Sequence, residues 1–244
     1  VSQSNLQLMR DRFNLPADIG EVIYNGRSAA YFAQRDWQRR SYLRKSLAIP
    51  MEATVALTTA RLMPEKGYCH QIETIKRLRQ TPLWGQLYFV WVGTGQTEAA
   101  LKQSVEQIGA GAQVKFLGER SDIPDLLDAA DIFVLPSRFE GMPLSIMEAM
   151  AKELPVVATA ISGIPEELAQ TGVLLSDPNI DTEKTVSGLV EALETLSVDR
   201  DRREALGKAA KRRAEHFFTE ERMVASYLQL IQQVVPELPL TNYP

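Results

Sequence analysis

Short apolar runs alternate with segments of helical spacing through the middle of the chain. Residues 54–60, 87–92, 114–117, 132–135, 156–159 and 173–175 are compact, strand-like runs. Between them, 68–79, 97–108, 122–130 and 143–152 carry apolar residues at helical intervals, as Ile72, Ile75 and Leu78 do. Runs with no polar alternation are what strands buried on both faces require. Strands and helices in such succession predict an α/β fold, a doubly wound, Rossmann-like parallel sheet covered by helices.

The ends differ from the middle. Residues 5–13 predict a helix, 21–24 a strand closed by Asn25-Gly26, and 35–45 a polar, linker-like stretch. From Glu183 the pattern is helical to about Val235, with Asp181 or Thr182 as its N-cap. Thr219-Glu220-Glu221 restarts a helix with Met223, Tyr227, Leu230 and Ile231 on one face, and Pro236 and Pro239 end it.

Ligands in doubly wound sheets bind at the carboxyl ends of the strands, which directs attention to the loops 60–67, 93–97, 118–122, 136–143 and 160–165. In the fourth, Leu135 ends a strand and Pro143 stands where a helix should begin. Gly141 gives the backbone room to approach a ligand, and the first-turn N–H groups of the helix make an anion site. Glu140 precedes that helix and Glu148 lies in its second turn, so both can face one crevice. Each carboxylate accepts paired O–H donors, which suits a ligand with hydroxyls at both ends and an anion between. Taken alone, the pair also reads as two glutamates flanking an ordinary helix. Arg61 falls at a strand end and Lys66 just before the next helix. Two cations there can clamp a diphosphate, although a solvated loop reads the same way. Gly93-Thr94-Gly95 lacks the third glycine of the dinucleotide fingerprint, so NAD binding is not expected.

Composition narrows the partners. Lys and Arg total 27 against 31 Asp and Glu, a formal net charge of -4, which removes a general electrostatic case for nucleic acid. The one cysteine, Cys69, excludes an internal disulfide, fits a reducing compartment and reads as a buried apolar residue. His70 and His216 have no zinc spacing and read as structural. The basic run from Arg200 to Arg213 is interleaved with Asp201, Glu204 and others. That favours a solvated helix face over contact with an anionic membrane. Val1 at the start, rather than Met, fits an excised fragment, tag removal or processing.

In combination these loops resemble the C-terminal domain of the group 1 glycosyltransferases, retaining enzymes of the GT-B plan with two facing Rossmann-like domains. The resemblance runs from about Met51 to Gly172. Its most specific element is Glu140, seven intervening residues and Glu148, set between Ala129-Ala130-Asp131-Ile132-Phe133-Val134-Leu135-Pro136-Ser137 and Met147-Glu148-Ala149-Met150-Ala151. It implies that Arg61 and Lys66 hold the diphosphate and offset charge on the leaving nucleotide, and that Glu140 contacts the donor sugar. It also implies that the backbone of Gly141, Met142, Pro143 and Leu144 touches sugar and phosphate, and that Glu148 binds the ribose. Gly93, Glu119 and Arg120 would lie against ribose and base. No metal and no other cofactor is implied; the donor is a nucleotide-diphosphate sugar and the acceptor an unspecified saccharide or lipid-linked molecule. Residues 1–40 would be the end of an N-terminal domain with the linker, 41–218 the nucleotide-sugar domain, and 219–244 a crossing helix and tail. The N-terminal domain would then be a missing partner, and the setting cytoplasmic, with the inner membrane face as the alternative. Ile23-Tyr24-Asn25-Gly26 resembles the family's linker, except that Pro is more usual where Tyr24 stands. Rival readings are an epimerase or phosphorylase of the same plan, or a non-catalytic nucleotide-sugar-binding module.

Overall fold

The computed structural model describes residues 2–236; Val1, Pro239 and the rest of the 237–244 tail lie outside the described residues. Six strands form one sheet: β1 (Thr54–Thr59), β2 (Leu87–Val92), β3 (Val114–Phe116), β4 (Ile132–Leu135), β5 (Val156–Thr159) and β6 (Val173–Leu175). All neighbours pair in parallel, in the order β3-β2-β1-β4-β5-β6. The chain therefore builds outward from β1 to β3, returns to β4, and builds outward again. The reversal puts a crevice between the carboxyl ends of β1 and β4.

The unbroken apolar runs are explained by burial on both sides. Val55 and Leu57 of β1, Val90 and Val92 of β2, and Phe133 and Leu135 of β4 point into one core layer. Their sequence neighbours Ala56, Phe89, Trp91, Ile132 and Val134 point into the other. Successive side chains on a strand face opposite ways, so a sheet covered on both faces has no polar positions to alternate with. The first layer is closed by α3 (Trp37–Ser46), α6 (Ile123–Ala129), α7 (Leu144–Ala151) and α10 (Arg200–Phe217). The second is closed by α4 (Tyr68–Leu78), α5 (Glu98–Gln107) and α9 (Thr182–Val198). Asp181 caps α9, its side chain accepting from the Lys184 N–H at 2.9 Å.

Three expectations are corrected. Residues 35–45 are not a linker but most of α3, which starts from an Asp36 cap and packs on α6. Its buried face is cationic, which hides it from an apolar-pattern search: Arg40 and Arg44 both reach Asp131, at 2.6 and 2.5 Å, and their other nitrogens bond backbone carbonyls. Residues 21–24 are not a strand. Among the described residues they pair with no strand, and the pairing that follows them is an isolated bridge between Arg27 and Thr219. Cys69 is exposed rather than buried, because it falls on the solvent side of the first turn of α4.

The chain ends add α1 (Gln3–Phe13), the short α2 (Ala29–Phe32) and α11 (Glu220–Val234), which is capped by Thr219. Between β5 and β6 lies α8 (Ile164–Leu168).

Candidate functional site

Two loops converge at the crevice between β1 and β4. The loop after β1 ends in a single turn, Pro64–Lys66, that closes on Gly67 at φ 73°. A Cβ at Gly67 would stand 1.8 Å from the Pro136 carbonyl oxygen, so only glycine lets this loop lie against the loop after β4. Two hydrogen bonds fasten the pair: Arg138 N–H to the Glu65 carbonyl at 2.8 Å, and His70 Nδ1 to the Pro136 carbonyl at 3.0 Å. A carbonyl can only accept, so His70 carries its proton on Nδ1.

This fastening brings Lys66 to Glu140. Lys66 Nζ is 2.8 Å from Glu140 Oε1, and the Ser137 hydroxyl donates to the same oxygen at 2.8 Å. Both side chains are largely buried, at 17% and 7% exposure, so the attraction is little screened. Arg61 stands apart from them. Its side chain is 74% exposed and its only ion pair is a 3.8 Å approach to Glu65.

Directly behind Glu140, α7 begins after Pro143, which is its N-cap rather than its first helical residue. The Leu144 and Ser145 N–H groups have no protein acceptor among the described residues, which leaves the positive end of the helix open toward the crevice. Met142 is buried and Leu144 is 40% exposed. Glu148, one turn farther along, is nearly buried and paired with Arg27, whose Nη2 is 2.6 Å from Glu148 Oε1. Burial pushes the Glu148 carboxyl up, and the Arg27 charge and the Tyr31 hydroxyl pull it back only in part. The arrangement can therefore hold an anion at the helix end, with one cation and two hydroxyl-accepting carboxylates around it.

The other expected residues are placed less closely. Gly93, at φ 131°, leaves no room for a Cβ because the Ala60 carbonyl oxygen would be 2.2 Å away. Its glycine lets the loops after β1 and β2 pack closely. Glu119 and Arg120 are exposed, and Arg120 is paired with Asp122 at 2.6 Å.

Three groups escaped the sequence. Glu167 of α8 is fully buried, and among the described residues neither carboxyl oxygen has a hydrogen-bond partner. Burial first, then the nearby Glu140 charge, hold its carboxyl well above the usual range. Glu166 receives the Tyr24 hydroxyl at 2.6 Å and the Gln3 N–H at 2.8 and 3.0 Å, which docks α1 beside Gly141 and Gly163. Tyr24, the departure from the usual linker proline, thereby gains a role, and burial together with Glu166 pushes its hydroxyl up to about 12. Arg27 carries no local signal, since its partner is distant in sequence.

The comparisons agree with this fold. An Escherichia coli UDP-Gal:alpha-D-GlcNAc-diphosphoundecaprenol alpha-1,3-galactosyltransferase is 36% identical over 120 residues, covering 49% of this chain and 31% of that protein. The Rhizobium meliloti lipopolysaccharide core biosynthesis glycosyltransferase LpsE is 29% identical over 190 residues, covering 77% of this chain and 52% of its own length. Among solved structures, Anabaena HepE in complex with UDP-glucose superposes with a TM-score of 0.81 at 26% identity, covering 97% of this chain and 62% of that one. The chain spans between about a third and three-fifths of the length of the curated relatives it matches. Residues 40–213 match the family described as glycosyl transferases group 1, and the chain belongs to that family.

Proposed function

We propose that this chain is the donor-binding half of a retaining glycosyltransferase, which moves a sugar from a nucleotide-diphosphate donor to an acceptor. The observation that carries the reading is the Lys66–Glu140 pair beside the open N-terminus of α7, with Glu148 one turn behind. The diphosphate sits against the helix end and Lys66, where dipole and cation offset the charge that grows as the sugar–phosphate bond breaks. Arg61, exposed on the same loop, swings in as a second cation. Glu140 accepts hydrogen bonds from the sugar's hydroxyls and Glu148 from the ribose diol. These cations supply the electrostatic work without a metal, and no residue is assigned as a nucleophile. Residues 1–40 and 219–244 are the segments that cross to an N-terminal, acceptor-binding half.

Relatives support the donor class. The galactosyltransferase relative acts on UDP-Gal and the Anabaena structure holds UDP-glucose, which makes UDP the first nucleotide to test. Calorimetric titration with UDP, with GDP and ADP alongside, should give saturable heat for one of them. Glu148→Ala should weaken that binding by about 1–3 kcal/mol, the cost of losing a charged hydrogen bond. A folded sample that binds no nucleotide, or a Glu148→Ala variant of unchanged affinity, defeats the reading.

A further inference from the structure

Arg27 lies where the chain enters the sheet domain, 121 positions before Glu148, yet its guanidinium is the ion-pair partner of that carboxylate at 2.6 Å. The guanidinium carbon stacks 4.8 Å from the centre of the Tyr31 ring. The Tyr31 hydroxyl is pushed up, by burial first and then by the neighbouring Glu148 charge, with Arg27 opposing. Among the described residues, Arg27 Nε is buried without an acceptor, so this nitrogen has given up water at this position. Its backbone is pinned on both sides: the Arg27 N–H donates to the Phe218 carbonyl at 2.8 Å, and the Arg27 carbonyl accepts from the Glu220 N–H at 3.1 Å. The guanidinium is thus delivered by a fixed backbone rather than by a wandering surface side chain.

An ionised carboxylate has about four lone-pair sites on two oxygens, and the 2.6 Å contact with Arg27 uses only one of those oxygens. We propose that Arg27 is a positioning residue for the nucleotide's ribose, holding the Glu148 carboxylate charged and aimed so that its remaining lone pairs receive the ribose hydroxyls. This rests on Glu148 being the ribose-binding group. Arg27 and Tyr31 are the groups that act on Glu148 besides burial, so loss of the Arg27 charge leaves burial opposed by Tyr31 alone. The carboxyl then takes up a proton at higher pH, and a protonated acid accepts the diol poorly.

The test compares UDP with 2′,3′-dideoxy-UDP, which lacks the diol, on the whole chain at about pH 8, far above the ordinary glutamate value, and at about pH 5.5, nearer to it. Arg27→Gln is expected to weaken UDP by a few-fold at the higher pH and by about tenfold or more at the lower, a change of about 1.4 kcal/mol. Dideoxy-UDP should bind the variant and the parent alike. Arg27→Lys keeps the charge without the fork and should restore the flatter pH profile; it carries the test should Arg27→Gln fail to melt cooperatively. Unchanged UDP affinity at both pH values, equal losses for the two nucleotides, or an Arg27→Lys profile as steep as that of Arg27→Gln overturns the proposal. If Glu148→Gln leaves UDP binding intact, it is the donor-site reading that fails, so the two failures are distinguishable.

Discussion

Glu167 shows how a single residue's chemistry is set by what closes over it. It sits fully buried beside the charged Glu140, and among the described residues neither of its oxygens has a hydrogen-bond partner. Its folded-state carboxyl is raised, by burial first and by Glu140 second, so it keeps its proton where an unfolded glutamate, at about 4.3, has lost it. The folded state then binds more protons than the unfolded state over that interval. The residue's contribution is full below the unfolded value and is lost as pH rises toward and through the folded one. Glu167→Gln, which mimics the neutral acid, should melt higher than the parent at neutral pH and flatten the dependence of melting temperature on pH above about 4.3. A variant that keeps the parental slope would show that Glu167 is not the group responsible. Glu140, Glu148 and Lys66 were legible in the sequence because a strand end and a helix start fix where they point. Glu167 and Arg27 were not, because Pro165-Glu166-Glu167 reads as the acidic first turn of any short helix and Arg27 as one more surface cation. Burial by distant segments decides both.

At the scale of elements, legibility followed the source of burial. The bounds of β2, β4 and β5 match the apolar runs to the residue, since a strand covered on both faces has to be apolar throughout; β6 matches as well, although Leu174 of this edge strand is 39% exposed. α3 was missed because arginines, not leucines, do much of its docking. Arg40 and Arg44 share Asp131, which also accepts the Val55 N–H at 2.8 Å and so ties α3 to the first strand. Burial alone would push the Asp131 carboxyl up, but the two guanidiniums and the Val55 N–H bring it below its ordinary value, so the cluster is charged at neutral pH. Removing one member of such a group strands the others. Asp131→Ala should cost about 3–5 kcal/mol in urea unfolding, and a loss well under that would show α3 is held by its apolar contacts instead. The segment 21–24 failed for the opposite reason. Its β-prone residues are real, but they are used for packing instead: Ile23 is buried and the Tyr24 hydroxyl donates to Glu166.

At the scale of the whole molecule, two helices are unfinished. α1 and α11 bury no residue fully, and Leu8, Phe13, Tyr227 and Val234 are 62%, 57%, 48% and 72% exposed. On the proposed function, these open apolar faces would meet the other half of the enzyme. The isolated chain is therefore expected to bind nucleotide and to transfer no sugar. Joined to its N-terminal half it should transfer with the anomeric configuration of the donor kept, as read by proton NMR of the product. Transfer by the chain alone, or an inverted product, contradicts this. The bridge between Arg27 and Thr219 has a consequence for how such enzymes can be rebuilt. The polypeptide comes into the sheet domain and leaves it through one doorway, hydrogen-bonded across from Arg27 to Phe218 and Glu220. Residues 27–219 are thus an insert with both ends at one point, the geometry that tolerates transplantation. Exchanged as a block between relatives, this cassette would carry its donor preference with it and leave the path of the flanking chain unchanged.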